Sequence, residues 1–189
     1  MNLAAIVLAA GAGTRFGGDK LSALFRGAPL ITHAIRAARA APVCRVVVVC
    51  PPQLAIGDWP GEPPVEARRI VSPELSASLK AGIAAVASNE GAFIFLGDMP
   101  LIPNGLATEL AAALGTNIAA VPRWQGRSGH PVLLSASAFP AIEHLGGDEG
   151  AGRLLKARKD VAFVEAKGEG VILDIDRADD IARLEDRRG

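Results

Sequence analysis

The stretch that decides the fold is residues 3–20, LAAIVLAAGAGTRFGGDK. Its first half, residues 3–9, is a short apolar run of the kind found in buried parallel strands. Its second half is a glycine-rich loop that carries two cations, Arg15 and Lys20. Glycines let backbone amides approach a phosphate without obstruction by a Cβ, and cations neutralise its oxygens. The stretch predicts a phosphate-binding strand-loop unit, with a tight turn and solvated cations as the plainer alternative.

The rest of the chain alternates between apolar runs and helical patterns. Strands are predicted at residues 45–50, 69–71, 92–96, 117–121, 131–134, 161–165 and 171–175. Helices are predicted at residues 29–40, 76–87, 104–114, 137–145, 149–158 and 178–185. This alternation predicts a three-layer α/β fold, a mostly parallel sheet with helices on both faces. Ligands of such sheets bind at the carboxyl ends of the strands.

Composition excludes several classes of protein. Net charge is zero, only 4% of residues are aromatic and there is no tyrosine, which argues against nucleic-acid binding. No apolar run is long enough to predict a membrane span. Met1 and Asn2 supply no positive charge before the first apolar run, so we expect a cytoplasmic protein rather than an exported one.

Two common phosphate-binding fingerprints do not fit the glycine-rich loop. In the dinucleotide pattern, Gly11 and Gly13 should be followed by a third glycine at the position of Phe16. The P-loop pattern requires Gly-Lys followed by Ser or Thr, which the loop lacks. A dinucleotide-dependent dehydrogenase is therefore disfavoured.

The loop and four later segments together resemble the MobA-like nucleotidyltransferases, and among them the molybdenum cofactor cytidylyltransferases. The resemblance covers nearly the whole chain and implies a Rossmann-like nucleotidyltransferase fold, with one domain over residues 1–189. Residues 1–100 would then form the nucleotide-binding half and residues 101–189 the acceptor-binding half. The segments that carry it are Leu8–Gly11 with Arg15 and Lys20, Ser76–Gly82, Gly97–Pro100, Gly129–Pro131 with Gly147–Ala151, and Asp174–Asp176.

The resemblance implies that Arg15, Lys20 and Asp98 are the catalytic residues. It also implies a set of nucleotide-binding residues: Leu8, Ala9, Ala10, Gly11, Ala12, Gly13, Thr14, Ser76, Ser78 and Lys80. Because the chain has no tyrosine to stack on a base, we expect backbone amides and small side chains to recognise it. The alternative for Ser76 and Ser78 is that they only cap a helix.

Three aspartates are candidate ligands of Mg²⁺, which prefers carboxylate oxygens. Asp98 follows the apolar run 93–96, whereas Asp174 and Asp176 would share one face of a predicted strand. Each has a plainer alternative: Asp98 as a turn residue, Asp176 as a helix cap and Asp174 as a solvated strand end. The resemblance favours the metal role.

Three further residues are implied to bind the acceptor, namely His130, Asp148 and Arg153. His130 lies between Gly129 and Pro131, and it could equally be a structural histidine of a turn. The family often has arginine at the position of Gly152, and here Arg153 follows it.

The resemblance implies transfer of CMP from CTP to the terminal phosphate of a molybdopterin-type cofactor, with release of pyrophosphate. A recipient molybdoenzyme or its chaperone is an implied partner. Two alternatives stay open. One is a transferase of the same fold that uses GTP or another phosphorylated acceptor, and the other is a non-catalytic chaperone of the molybdenum cofactor.

Overall fold

An eight-stranded sheet forms the centre of the protein. The computed structural model describes residues 1–11, 16–72, 74–156 and 158–185. The strands are β1 (Leu3–Leu8), β2 (Leu24–Phe25), β3 (Ala28–Pro29), β4 (Val46–Cys50), β5 (Val65–Arg69), β6 (Gly91–Leu96), β7 (Ala119–Trp124), β8 (Arg127–Ser128), β9 (Val132–Ser135) and β10 (Val161–Glu165). The helices are α1 (Leu30–Arg39), α2 (Leu75–Ala85), α3 (Leu106–Leu114), α4 (Phe139–Ile142), α5 (Ala151–Leu155) and α6 (Ala178–Glu185).

The strand order is β10-β7-β9-β6-β1-β4-β5, with β8 beside β7, while β2 and β3 form a separate hairpin. β1 pairs in parallel with β4 and β6, and β10 pairs in parallel with β7. β9 is antiparallel to both of its neighbours, β6 and β7. The predicted mostly parallel sheet is confirmed, and β1, β4, β6 and β7 all end at one edge.

Helices cover both faces of the sheet, as predicted. Ala5 and Val7 of β1 belong to the apolar core that includes residues of α1 and α3. Ala4 and Ile6 belong to the core on the other face, with residues of α2 and α4. Alternate residues of a strand point to opposite faces, so every position of β1 is buried.

A third, smaller core joins the early part of the chain to its last helix. Phe25 of the β2–β3 hairpin and Leu30 pack with Ile175 and Leu184 of α6. The backbone N–H of Arg26 donates to a carboxylate oxygen of Glu185 at 2.7 Å. The segment before α6 is therefore held beside the β2–β3 hairpin.

The predicted strand at residues 171–175 is wrong. The structure has a 3-10 turn at Glu169–Val171 instead, and close backbone packing replaces ladder pairing. A Cβ on Gly170 would lie 2.0 Å from the carbonyl oxygen of Leu101, and one on Gly129 would lie 2.1 Å from that of Val171. Only glycine allows these approaches.

Other predicted elements have different bounds, among them the helix expected at residues 137–145, which the structure replaces with a 3-10 turn at Ala136–Ala138 followed by α4. The strand expected at residues 69–71 lies earlier, as β5, and the helix expected at residues 149–158 is limited to α5. Among the described residues, no helix is long and apolar enough to cross a membrane.

Candidate active site

An open cleft of about 920 Å³ lies at the edge of the sheet where β1, β4 and β6 end. Residues 8–11 line it between two walls, which are the loop that follows β4 and the start of α2. Lys20 and Asp98 also line it. This is the edge at which open α/β sheets bind ligands.

The predicted nucleotide-binding residues Leu8, Ala9, Ala10 and Gly11 all line the cleft. Gly97 holds the end of β6 against them, because its N–H donates to the carbonyl of Leu8 at 2.9 Å. Asp98 follows directly and is thereby placed beside the loop. The predicted site residues Ala12, Gly13, Thr14 and Arg15 lie outside the described residues.

Helix α2 reaches the cleft because Gly82 lets it lie close to the sheet. A Cβ at Gly82 would be 2.6 Å from Cγ2 of Ile6, which is too close for any other residue without movement. Ser78, one turn earlier, lines the cleft. The glycine therefore sets how near the start of α2 lies to β1.

The two serines of α2 are buried, and neither caps the helix. Ser78 donates its hydroxyl to the carbonyl of Glu74 at 3.1 Å, and the N–H of Ser76 donates to the carbonyl of Gly147 at 3.0 Å. Glu74 is the residue at the cap, and it makes no side-chain capping bond. The capping alternative is therefore wrong. Ser76 and Lys80 do not line the cleft, so their nucleotide role stays a prediction.

Asp98, Asp174 and Asp176 come together at one side of the cleft. One carboxylate oxygen from each lies within 4.8 Å of the others. Three hard oxygen donors at this spacing fit a divalent cation such as Mg²⁺. The sequence analysis grouped Asp174 and Asp176 by a shared strand face and added Asp98 by resemblance, whereas the structure brings the three together with an irregular segment.

Ile175 and Asp180 hold the two later aspartates in place. Ile175 is fully buried, and its N–H donates to the carbonyl of Asp98 at 3.0 Å. The carboxylate of Asp180 accepts from the N–H groups of Asp176 and Arg177, at 3.1 and 2.8 Å. The segment is thus fixed between the third core and the first turn of α6.

The side chain of Lys20 lies between two of the aspartates. Its Nζ donates to Oδ2 of Asp98 at 2.8 Å and to Oδ1 of Asp176 at 3.1 Å, and the side chain is only 10% exposed. Burial works to lower the pKa of Lys20, but the hydrogen bonds and charges of the two carboxylates outweigh it and raise the pKa. The ammonium is therefore held in its charged form.

The surroundings of Asp174 favour its neutral form. Partial desolvation raises the pKa of Asp174, and the negative charges of Asp176 and Asp98 add to this effect. Lys20 lowers it, but not by enough to reverse the direction. A cation near this carboxylate would favour its ionised form.

His130 packs behind the aspartates rather than in the cleft. Its Nδ1 is 3.2 Å from the carbonyl oxygen of Ile94 in β6, so this nitrogen donates. Burial lowers the pKa of His130, although the Ile94 hydrogen bond and the charges of Asp98 and Asp174 oppose that effect. A neutral imidazole supports the strand end, and its predicted contact with the acceptor stays a prediction.

The other two predicted acceptor residues are separated. Asp148 lines the cleft, because the bond from Ser76 to Gly147 ties its loop to the start of α2. Arg153 points to solvent and pairs with Glu149 at 2.7 Å. The structure therefore brings Asp148, but not Arg153, to the cleft.

The wall after β4 was missed by the sequence analysis. Pro51, Gln53 and Leu54 line the cleft there, held by Arg69 at the end of β5. One guanidinium nitrogen of Arg69 donates to Cys50 Sγ and to the carbonyls of Pro51 and Leu54, at 3.1, 3.0 and 2.6 Å. The rule that ligands bind at carboxyl ends of strands could have pointed to this loop. Other cleft residues that were missed include Leu21, Val71, Glu74, Leu75 and Leu96.

This sheet, with its cleft at the carboxyl ends, is the architecture of a nucleotidyltransferase. The chain belongs to the family described as the MobA-like NTP transferase domain, whose model matches residues 5–161. Members of this family act on nucleoside triphosphates.

Two relatives resemble the chain over nearly its whole length. The purine catabolism protein PucB of Bacillus subtilis (strain 168) is 30% identical, over 92% of this chain and 91% of its own. The crystal structure of Rv0371c from Mycobacterium tuberculosis H37Rv has a TM-score of 0.85 at 25% identity, covering 98% of each chain. A structure of Rv0371C in complex with manganese has a TM-score of 0.83 at 24% identity, covering 99% of this chain and 100% of that one.

Proposed function

We propose that the protein transfers CMP from CTP to the terminal phosphate of a molybdopterin-type cofactor and releases pyrophosphate, in a reaction that requires Mg²⁺. The observation that carries the proposal is that Lys20 and Asp98 line one cleft with residues 8–11, while Lys20 also pairs with Asp176. Membership of the nucleotidyltransferase family supports the reaction class. The resemblance of the motifs to molybdenum cofactor cytidylyltransferases supports the choice of substrates.

The nucleotide would lie along the ends of β1 and β4. None of the described residues that line the cleft is aromatic, so the base would be held by small side chains and backbone groups. Ala9, Ala10 and Gly11 offer such a surface on one side, and Ser78 lies on the other. The pair Ala9-Ala10 before Gly11 resembles the cytidylyl type, whereas guanylyl members usually carry two glycines there.

The three aspartates would hold the metal. Their oxygens form a hard donor set, and the manganese complex of a protein with this fold supports a divalent cation. Mg²⁺, when bound, would supply positive charge to the phosphates of the nucleotide. Asp98 comes from the end of β6, and Asp174 and Asp176 come from the segment before α6.

In the reaction, a terminal phosphate oxygen of the acceptor attacks the α-phosphorus of CTP. The bond from that phosphorus to the bridging oxygen breaks, and pyrophosphate leaves with its electron pair. Catalysis of this step consists of positioning and charge neutralisation, so no protein nucleophile is needed. Lys20 and Arg15 would bind the phosphates and stabilise the leaving pyrophosphate.

The acceptor would approach from the part of the chain after residue 100. Asp148 is the predicted acceptor residue that the cleft includes. Its carboxylate can accept hydrogen bonds from the N–H groups of a pterin ring. His130 would act through the position of the aspartates, and Arg153 would have to turn from Glu149 toward the cleft.

The proposal is tested by incubating the purified protein with molybdopterin-type cofactor, Mg²⁺ and either CTP or GTP, and by measuring pyrophosphate. We expect release with CTP and the cofactor together. Pyrophosphate release with GTP but not with CTP would contradict the cytidylyl assignment. Pyrophosphate release from CTP with a different phosphorylated acceptor but not with the cofactor would contradict the choice of acceptor. Tight binding of cofactor without turnover of either nucleotide would instead support a carrier.

A matched pair of variants tests the site. Asp98→Asn keeps the shape of the side chain and removes its charge, and we expect Mg²⁺-dependent activity to fall by at least about 100-fold. Asp160→Asn makes the same change at an exposed residue that pairs with Arg158, and it should leave activity unchanged. Full activity in Asp98→Asn would refute the metal assignment.

A further inference from the structure

We propose that Lys20 is the resident counter-ion of the aspartate site, and that a divalent cation must displace it before the nucleotide is bound productively. The ammonium of Lys20 contacts Asp98 at 2.8 Å and Asp176 at 3.1 Å, and its side chain is 10% exposed. These two carboxylates are also candidate metal ligands. One side chain therefore contacts two of the three carboxylates that are candidate metal ligands.

The charges at the site are consistent with such an exchange. When ionised, the three carboxylates carry three negative charges, so a divalent cation that replaces the ammonium neutralises more of that charge than the ammonium does. A metal on Asp98 and Asp176 would stand beside the ammonium and repel it, since both are positive. The two cations therefore compete for the same carboxylates.

The displaced ammonium of Lys20 can move into the cleft that its side chain lines. Lysine carries its charge on a flexible four-carbon stem, so the ammonium can move several ångströms without a change of backbone. Lys20 lines the cleft together with Gly11 and Gly18 of the glycine-rich loop. We place the released ammonium on the phosphates of the nucleotide, and this last step rests on the proposed function.

In this exchange, Lys20 is a positioning residue in the free protein and a phosphate ligand in the complex with nucleotide. In the free protein it keeps Asp98 and Asp176 close together despite their like charges. The exchange couples metal binding to nucleotide binding, because the cation that enters releases the cation that the phosphates need.

The test is the affinity for Mn²⁺, measured by electron paramagnetic resonance on Lys20→Met and on the unaltered protein. Without nucleotide, removal of the competing ammonium should tighten Mn²⁺ binding by at least about tenfold. With CTP present, the same variant should bind the Mn²⁺–CTP complex more weakly than the unaltered protein. Unchanged or weaker binding of Mn²⁺ alone would overturn the proposal.

Lys167→Met is the matched control. Lys167 is 85% exposed and pairs at 3.2 Å with Glu109, which is not one of the candidate metal ligands. The Lys167→Met variant should bind Mn²⁺ with an affinity within about twofold of that of the unaltered protein. An equal gain in affinity in both variants would mean that a general change in charge is responsible, and it would overturn the proposal.

A second measurement needs no variant. Amine acylation followed by mass spectrometry reports the access of reagent to Lys20 in the full-length protein. Mn²⁺ alone should increase acylation of Lys20 at least threefold, and CTP added with Mn²⁺ should reduce it again. No increase with Mn²⁺ would overturn the exchange. Failure of CTP turnover with the Mn²⁺ responses intact would refute the proposed function and leave the exchange standing.

Discussion

Truncation of Ile175 should weaken the aspartate site although no ligand atom is removed. Ile175 is fully buried in the third core, against Phe25, Leu30 and Leu184, and it lies between Asp174 and Asp176. Ile175→Ala removes three carbons from this core. Such truncations lower the free energy of unfolding by about 2–5 kcal/mol. Here we expect part of that loss to come from loosening of the segment that presents the two carboxylates.

The expected result is a lower free energy of unfolding, by about 3 kcal/mol, and about tenfold weaker Mn²⁺ binding. The tenfold loss corresponds to about 1.4 kcal/mol spent on re-ordering the loosened segment. Urea denaturation measures the first quantity, and electron paramagnetic resonance of Mn²⁺ measures the second. Both are measured without nucleotide.

Ile142→Ala is the control for this prediction. Ile142 is equally buried but lies in the core on the other face of the sheet, in α4. It should lose a similar amount of stability and keep its Mn²⁺ affinity. If both variants lose stability and both keep their Mn²⁺ affinity, the third core does not position the aspartates and the reasoning is refuted.

Three further predictions follow from contacts near the cleft. Arg69→Met should raise the KM for the nucleotide about five- to tenfold with little change in kcat, because the loop after β4 loses the hydrogen bonds that hold it. In the control, Arg68→Met at the exposed neighbouring residue, steady-state kinetics should show no change in KM or kcat. Burial lowers the pKa of His130, so the unfolded chain takes up a proton as the pH falls below about 6.5 while the folded protein does not. The stability that this neutral histidine contributes is therefore complete above that pH and declines below it. In urea denaturation, the difference in the free energy of unfolding between the unaltered protein and His130→Gln should shrink as the pH is lowered from 7.5 to 5.5. Gly129→Ala should destabilise the protein by about 2–3 kcal/mol in the same assay, since the added Cβ would meet the carbonyl of Val171, whereas an unchanged midpoint would show that the 3-10 turn can move aside.

The first strand and its loop could be predicted from the sequence because their signals are local. An apolar run followed by glycines and cations needs no knowledge of the rest of the chain, and β1 and the cleft residues after it lie where the pattern indicates. Asp98 was found for the same reason, as the first charged residue after an apolar strand. These features depend on residues within about ten positions of one another.

The features that could not be predicted depend on long-range packing. Asp174 and Asp176 were grouped by a strand that does not exist, and what brings them to Asp98 is the burial of Ile175 in the third core. The partners of Lys20 lie 78 and 156 residues away in sequence, so no local pattern indicates them. The orientation of β9 likewise follows from its pairing between β6 and β7, not from its residues.

The contact between Lys20 and Asp176 also fixes when the site is completed during synthesis. The two residues are separated by 156 positions, which a ribosome adds in roughly 8–30 seconds. Asp98 is added about halfway through that interval, but Asp176, the second carboxylate that pairs with the lysine, is added only at its end. A nascent chain therefore cannot assemble the full set of carboxylates for a metal before residues 174–176 have left the ribosome, and the site is formed last although its first residues are made first.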